Sequence, residues 1–518
     1  MHMSDQGIRV RFAPSPTGYF HIGSARVALF NYLFAKKNKG TFVLRIEDTD
    51  KERSTKEYEK DIMENLEWIG VNWDEGAVPN GDKGDAGPYR QSERGEIYKK
   101  YLQRLLDEGK AYYCFCEKEK LEEMRREQRE RKEPPRYDGD CFSLDDKEKE
   151  KLIEEGKDFT IRLKIPESKT VEFHDKIRGK VSFNTDDMGG DFVIAKKDMS
   201  PLYNFACVVD DHEMKATHVI RGEDHVSNTP KQILIQEALG FFVPEFAHLP
   251  LILGPDKSKL SKRHGTVSLS SYREKGYLPE ALVNFIALLG WHPGTEEEIL
   301  TLEKIIEEFE LEDCQKSGAI FDTKKLDHIN GHYIRKRNPE DLAAMCIPYL
   351  VEKGFLEVSF EEDQYPPAYG GKEPRASYFA PLRKKEMSFE EIKEIVSLYQ
   401  ERMKVLSEAG ELMDYLFGEI PSYEKELLFF KDATKEELIE SLDNISKVLS
   451  NIKEWSREVI EEEMVKVANE ARNRGVVLWP TRVALSGKKA SAPPFDIAHV
   501  LGREETLKRI EKAKEKLQ

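Results

Sequence analysis

The chain has 518 residues, with 81 Lys and Arg against 97 Asp and Glu, a formal charge of −16 at pH 7. Its length exceeds one core and calls for about three to five domains of roughly 100–200 residues each. The acidic balance excludes a nucleic-acid partner held by bulk charge. With no apolar run of about eighteen residues and no basic-then-apolar leader, a membrane partner is also excluded, and a cytoplasmic protein is expected.

In chain order, an apolar strand-like run, Ile8 to Ala13, leads through Pro14-Ser15-Pro16-Thr17-Gly18 to a helical pattern from Ser24 to Lys37. A strand at Thr41 to Asp48 and helices at Thr55 to Ile69 and Glu93 to Glu108 follow. That rhythm signals a parallel sheet with crossovers, half of a nucleotide-binding fold. From Ala111 to about Gly190 the character changes: a Cys-containing hairpin, a charged helix (Glu117 to Arg131), then strand-like Phe159 to Ile165 and Thr170 to Asp175. This reads as a domain inserted on the sheet's carboxyl edge, where ligands of open α/β folds bind. Asp191 to Lys196, Thr217 to Glu223 and His248 to Gly254 resume the first rhythm, and Thr229-Pro230 offers an N-cap with proline at the first helical position. After Gly265 the patterns are helical almost throughout, Leu278 to Leu289 closing on Gly290 being the clearest. A Pro/Gly/Tyr-rich stretch from Asp363 to Ser377 reads as a surface insertion or linker.

Two distant segments carry the chemistry. The Pro/Gly turn delivers backbone amides and His21, followed by Gly23, to a helix N-terminus, an end that binds phosphate. Lys259-Leu260-Ser261-Lys262-Arg263 places two lysines on a loop after a strand, where ammonium groups can follow charge developing on departing phosphates. Singly, His21 reads as a capping histidine and the lysines as solvated charges; together they call for a nucleotide triphosphate between them. Asp256, Ser258 and Ser261 give the loop the composition of a flap that closes on pyrophosphate. Mg²⁺ is expected with the triphosphate, held mainly by phosphate oxygens and water. Glu47-Asp48-Thr49-Asp50 is an acidic strand end flanked by Arg45 and Arg53, better suited to an ammonium ligand than to a metal. Six cysteines in so long a chain make no disulfide framework. Cys114-Phe115-Cys116 and Cys141 form a metal-like cluster for tetrahedral Zn²⁺, one ligand short, with unligated buried thiols as the alternative.

These motifs resemble the HIGH and KMSKS signatures of class I aminoacyl-tRNA synthetases. Arg11-Phe12-Ala13-Pro14-Ser15-Pro16-Thr17-Gly18, Leu44-Arg45-Ile46-Glu47-Asp48-Thr49-Asp50, Arg221-Gly222-Glu223-Asp224-His225 and Lys262-Arg263-His264-Gly265 stand in the order of the bacterial-type glutamyl-tRNA synthetases. Ser24 departs from the class signature, which has a second histidine there, and this removes a phosphate donor.

The resemblance implies a glutamate–tRNA ligase that makes glutamyl adenylate from ATP and L-glutamate and charges the 3′ end of tRNA(Glu), with tRNA(Gln) left open as a second acceptor. It implies an ATP site of His21, Gly23, Lys259, Ser261 and Lys262, with Lys262 ahead of Lys259 as the catalytic contact. Arg11, Ser15, Glu47, Tyr203 and Arg221 form the implied glutamate site. A buried guanidinium pairs fully with a carboxylate and incompletely with an amide; an ion pair of Arg221 with Glu223 or Asp224 is the plain alternative. A Cys-x-Cys, Tyr-x-x-x-Cys pattern found among relatives makes Tyr137 the fourth ligand of a structural zinc beside Cys114, Cys116 and Cys141. Trp479 to Phe495 is expected as a basic, Pro-rich loop of the kind that reads splayed RNA bases, with Arg482, Ser491 and Phe495 as anticodon contacts. Ser491-Ala492-Pro493-Pro494 departs from the usual Thr-Pro-containing stretch.

The implied fold is α/β. Residues 1–110 and 191–265 would be the halves of a class I Rossmann-type catalytic domain, and 111–190 an α+β acceptor-stem-binding insertion. An all-α stem-contact domain, 266–335, and an all-α anticodon-binding domain, 336–518, would complete a monomer. A glutaminyl ligase is disfavoured by helical periodicity after residue 300. A non-catalytic or modified-base-directed tRNA-binding paralogue is disfavoured by intact His21, Gly23 and Lys262 and by the residues beyond about 335.

Overall fold

The structure, a computed structural model, describes residues 7–261, 263, 268–360 and 376–518. Lys262, His264, Gly265 and almost all of the Asp363 to Ser377 stretch lie outside these residues. The chain divides into two compact units, Met1–Arg273 with Pro279–Leu326, and Glu274–Leu278 with Asp327–Gln518.

The first unit begins with β1 (Arg9–Phe12), α1 (Ile22–Lys37), β2 (Thr41–Leu44), α2 (Lys56–Trp68), β3 (Glu75–Val78), β4 (Gly81–Lys83) and α3 (Gly95–Asp107). β1, β2 and β3 are parallel, with Arg11 opposite Val43, and β4 returns antiparallel. The second part has β5 (Ala111–Cys114), α4 (Lys118–Glu130), α5 (Asp146–Glu154), β6 (Thr160–Leu163), β7 (Thr170–Asp175), β8 (Gly179–Asn184) and β9 (Phe192–Lys196). Then come α6 (Tyr203–Glu213), β10 (His218–Gly222), α7 (Thr229–Leu239), β11 (Glu245–Leu249) and β12 (Ile252–Leu253). After the lysine loop follow α8 (Leu269–Glu274), α9 (Pro279–Ala287), α10 (Leu302–Glu308) and β13 (Ala319–Ile320).

β10 lies beside β1: the Thr217 N–H donates to the Arg9 carbonyl at 2.9 Å, and the Arg9 N–H to Thr217 Oγ1 at 2.9 Å. From β1 the chain winds outward to β2 and β3, and from β10 in the opposite sense to β11. The two winding directions leave a crevice at the carboxyl ends of β1 and β10. Strands covered on both faces read as continuous apolar runs, as Val10, Phe12, Val219 and Ile220 do, all at most 4% exposed. α1 is fixed on the sheet by Ala25, Ala28, Leu29 and Leu33, each fully buried.

Two strands change allegiance relative to the sequence reading. Phe192–Lys196, expected to resume the catalytic sheet, pairs antiparallel with β6 in the insertion's own sheet, β5-β6-β9. Thr170–Asp175, expected in the insertion, joins the sheet of β10 and β11 instead, with Asp175 opposite Phe246. Strand periodicity specifies which residues face a core, not which neighbour completes the ladder.

The second unit contains most of α11 (Thr323–Lys336), then α12 (Pro339–Glu352), β14 (Glu357–Phe360), β15 (Ala376–Ala380), β16 (Lys385–Met387) and α13 (Phe389–Ser397). α14 (Ala409–Phe417), α15 (Lys435–Asn451), α16 (Arg457–Glu470), α17 (Arg474–Ser486), α18 (Pro494–Leu501) and α19 (Arg503–Leu517) follow. The region is helical as expected, with one addition: β14, β15 and β16 form a short antiparallel sheet, Val358 opposite Tyr378 and Tyr378 opposite Met387. Strands this brief carry too few alternations to register as a period.

Trp479 to Ser486 is a correction. The segment is helix, not loop, in spite of Pro480. Val476, Val477, Val483, Ala484 and Leu485 are at most 4% exposed, and this burial outweighs the hydrogen bond that proline removes.

Candidate active site

The carboxyl ends of β1 and β10 open onto a cavity of ≈ 780 Å³. One wall is the 13–21 turn with the first turn of α1; opposite it stand Pro250 to Ile252 with Lys259, Leu260 and Ser261. Within the second wall the Leu260 N–H donates to the Ile252 carbonyl at 2.9 Å, and beyond the lysine segment the Leu269 N–H donates to the Phe20 carbonyl of the first wall at 2.8 Å. His21 N-caps α1, its Nδ1 accepting the Ser24 N–H at 3.2 Å, while Ser24 Oγ lies 3.2 Å from Nε2. Desolvation first, and the Lys259 ammonium second, lower the His21 pKa from its ordinary value. A Cβ at position 23 would meet the His21 ring at 3.0 Å, so glycine there leaves the imidazole its capping position.

Another part of the cavity is lined by buried charges, Arg11 and Glu47. Arg11 is 4% exposed and donates through Nε and Nη2 to Asp211, at 3.0 and 3.4 Å. Arg45, fully buried, donates to the same carboxylate at 2.6 Å and to Glu47 at 3.0 Å. Burial works against ionised Asp211, yet Arg11 and Arg45 outweigh it and hold its pKa down at about 2. At Glu47 burial wins over Arg45 and the pKa is raised.

Arg221 is held differently. Its Nε donates to His248 Nε2 at 3.2 Å and its Nη2 to Thr229 Oγ1 at 2.8 Å, and buried Nη1 has no partner among the described residues. The ion-pair alternative fails: Glu223 is taken by Arg178 and the Leu251 N–H, and Asp224 approaches His225 at 3.7 Å. Tyr203, at the start of α6, sets its hydroxyl 3.0 Å from His225 Nδ1. Arg11, Ser15, His21, Gly23, Glu47, Tyr203, Arg221, Lys259 and Ser261 thus line one cavity. Lys262 falls outside the described residues.

Comparisons with known proteins agree with this geometry. Residues 7–328 match the family described as tRNA synthetases class I (E and Q), catalytic domain, and residues 341–514 match an anticodon binding domain family. The glutamate–tRNA ligase of Carboxydothermus hydrogenoformans is 46% identical over 508 residues, covering 97% of this chain and 99% of the relative. That of Moorella thermoacetica is 43% identical over 507 residues, covering 98% of each. A solved glutamate tRNA ligase from Elizabethkingia meningosepticum, in complex with its amino acid, superposes with a TM-score of 0.85 at 35% identity, covering 99% of this chain and 100% of the other. The chain belongs to the glutamate–tRNA ligase family of class I tRNA synthetases.

Sequence reasoning missed some of what builds this ligase-family site. Asp211, which anchors Arg11, sits beside Asp210 at the end of an apolar run, Phe205 to Val209, that is at most 2% exposed. Adjacent acids on so buried a helix are a readable signal, because buried carboxylates are almost always paired. His248 and Asp175, both fully buried, gave no local signal.

The cysteine cluster comes together in the insertion. Cys114, Cys116 and Cys141 place their sulfurs within 4.8 Å of one another, and Cys116 and Cys141 are 3.5 Å apart. Tyr137 Oη is 3.3 Å from Cys114 Sγ and 3.6 Å from Cys116 Sγ. Sulfurs around tetrahedral zinc at about 2.3 Å would be about 3.8 Å apart, so this donor set fits zinc with little movement.

In the second unit Ser491 is 1% exposed, and its carbonyl accepts from Arg402 Nη1 at 2.6 Å. Its side chain is therefore withdrawn from the surface where it was expected to meet RNA. Arg482 and Phe495 are half-buried, Arg482 lying 4.9 Å over the Trp479 ring and Arg457 5.4 Å over Phe495.

Proposed function

We propose that this chain is a glutamate–tRNA ligase acting at the β1–β10 cavity. ATP and L-glutamate give glutamyl adenylate and pyrophosphate, and the terminal ribose of tRNA(Glu) then takes the glutamyl group. The observation that carries this reading is the juxtaposition in one cavity of a helix N-terminus capped by a histidine, a lysine segment, and a buried arginine that lacks a carboxylate partner among the described residues.

In this reading His21 donates to the phosphates as charge builds at the α-phosphorus, and Lys259 and Lys262 follow the departing pyrophosphate. No side chain forms a covalent intermediate; positioning and charge stabilisation lower the barrier. Arg221 and Arg11 receive the acid, Glu47 the α-amino group, and Ser15 and Tyr203 close the pocket. Glu47 and Asp224 are the only carboxylates among the described residues of the cavity wall, and Glu47 is engaged by Arg45, so Mg²⁺ would arrive with the phosphates, not in a protein cage. Residues 1–110 and 197–265, joined by β7 and β8, form the catalytic domain; the rest of 111–196, with β9, takes the acceptor stem, 266–335 contact the stem, and 336–518 read the anticodon, through Arg482 and Phe495 in preference to buried Ser491. Among the described residues no helix is long and apolar enough to cross a membrane.

Charging of purified tRNA(Glu) and tRNA(Gln) with labelled glutamate and glutamine tests the reading. Glutamate attached to tRNA(Glu) is expected, whereas preference for glutamine would remove Arg11 and Arg221 as acid-binding groups. Cys114, Cys116, Cys141 and Tyr137 are proposed to hold a structural zinc that stiffens the acceptor-binding insertion. Metal analysis should find one zinc per chain, lost in Cys141→Ser; a metal-free native protein would leave the cluster as buried thiols.

A further inference from the structure

Three neighbouring strands of the catalytic sheet carry a row of buried polar groups that ends at the cavity. In register, Arg221 on β10 stands opposite His248 on β11, and Asp175 closes β7 on the far side of β11. His248 Nδ1 is 2.6 Å from Asp175 Oδ2, and its Nε2 is 3.2 Å from Arg221 Nε. Asp175 is itself fixed by the backbone amides of Ile177 at 3.0 Å, Arg178 at 2.8 Å and His248 at 3.1 Å. Asp175 and His248 are both 0% exposed, and the imidazole stacks on Phe246 with an interplanar angle of 13°. Neither reaches the cavity wall, so neither touches a ligand there.

The row contrasts with the support of Arg11. Asp211 answers Arg11 with a full negative charge, whereas the acceptors of Arg221 are all neutral: a ring nitrogen, the Thr229 hydroxyl and, at 3.4 Å, the His225 carbonyl. A carboxylate on Nδ1 fixes the tautomer with its proton there and leaves Nε2 as an acceptor. Arg221 is thereby oriented without being neutralised, and its unpartnered Nη1 remains for the ligand.

We infer that Asp175 and His248 are positioning residues that hold the Arg221 guanidinium in line for the substrate's carboxylate while leaving its charge uncompensated. This rests on the reading of Arg221 as an acid-binding group. It assigns part of the selectivity for an acid over an amide to two residues that never touch the amino acid.

The test is tRNA charging at varied glutamate and varied ATP by full-length His248→Phe, His248→Gln, Asp175→Asn and Arg221→Lys. His248→Phe keeps a flat ring and loses the acceptor; KM for glutamate is expected to rise by about ten- to a hundredfold, as for a lost hydrogen bond to a charged group. KM for ATP should stay within about twofold of native, because a general loss of structure would move both. His248→Gln restores an acceptor and should recover most of the deficit. Asp175→Asn is nearly isosteric, but an amide N–H facing Nδ1 favours the Nε2–H tautomer, which opposes the Arg221 donor. It should therefore resemble His248→Phe, and it carries the same test if that variant does not fold.

Native glutamate KM in His248→Phe and Asp175→Asn would overturn the inference, as would loss confined to kcat. Impaired Arg221→Lys beside normal His248→Phe would remove the positioning role alone. Arg221→Lys with native glutamate KM would remove the underlying reading of Arg221.

Discussion

Arg221→Ala is expected to lower kcat/KM for glutamate by about a thousandfold, because a buried carboxylate left without its cation costs about 3–5 kcal/mol. The size follows from what surrounds the guanidinium. Nη1 has no partner among the described residues, and Nε and Nη2 face only neutral acceptors, a ring nitrogen, a hydroxyl and the His225 carbonyl, so no carboxylate pairs with the guanidinium until a ligand brings one. Arg11→Ala should cost less, since Asp211 already neutralises Arg11 and keeps Arg45 as a partner when Arg11 is gone. Charging of tRNA with labelled glutamate at saturating ATP measures both. A deficit below about tenfold in Arg221→Ala would place the acid elsewhere in the cavity.

His21→Ala is expected to slow adenylate formation by a factor of about a hundred to a thousand, the range for removing one donor aimed at developing charge. The loss should appear in kcat, with KM for ATP moved only a few-fold, since the contact strengthens as the α-phosphorus gains a fifth ligand. Removing the imidazole also removes the acceptor for the Ser24 N–H, at a cost of about 1 kcal/mol of helix-capping stability. That modest structural effect is separable by measuring tRNA binding, which should be unchanged. Equal losses in tRNA affinity and in ATP–pyrophosphate exchange would make His21 a capping residue only.

How much of the site was legible depended on how local each feature is. The Pro/Gly turn, the His21 cap and the lysine segment act within a few residues of chain, so their types and spacing exposed them. Arg11, Glu47, Tyr203 and Arg221 came from the resemblance, and the cavity that unites them appears only when β1 and β10 become neighbours. Asp211 left a trace as an acid on a buried helix. Asp175 and His248 left none, because a lone Asp at a strand end and a lone His within a strand are ordinary until a third strand brings them together.

The same division runs through the fold. Helices such as α1 and α9, and the alternation of strand and helix from residue 8 to about 110, follow from periodicity and caps, which are interactions between near neighbours. Tertiary contacts decided the exchange of β7 and β9 between sheets, the helix through Pro480 and the withdrawal of Ser491 from the surface. A strand's side-chain pattern states only that one face or both will be buried. Which backbone edge it pairs with, and which charges become enclosed beside it, depend on competition among all edges in the folded chain, and that competition has no local signature.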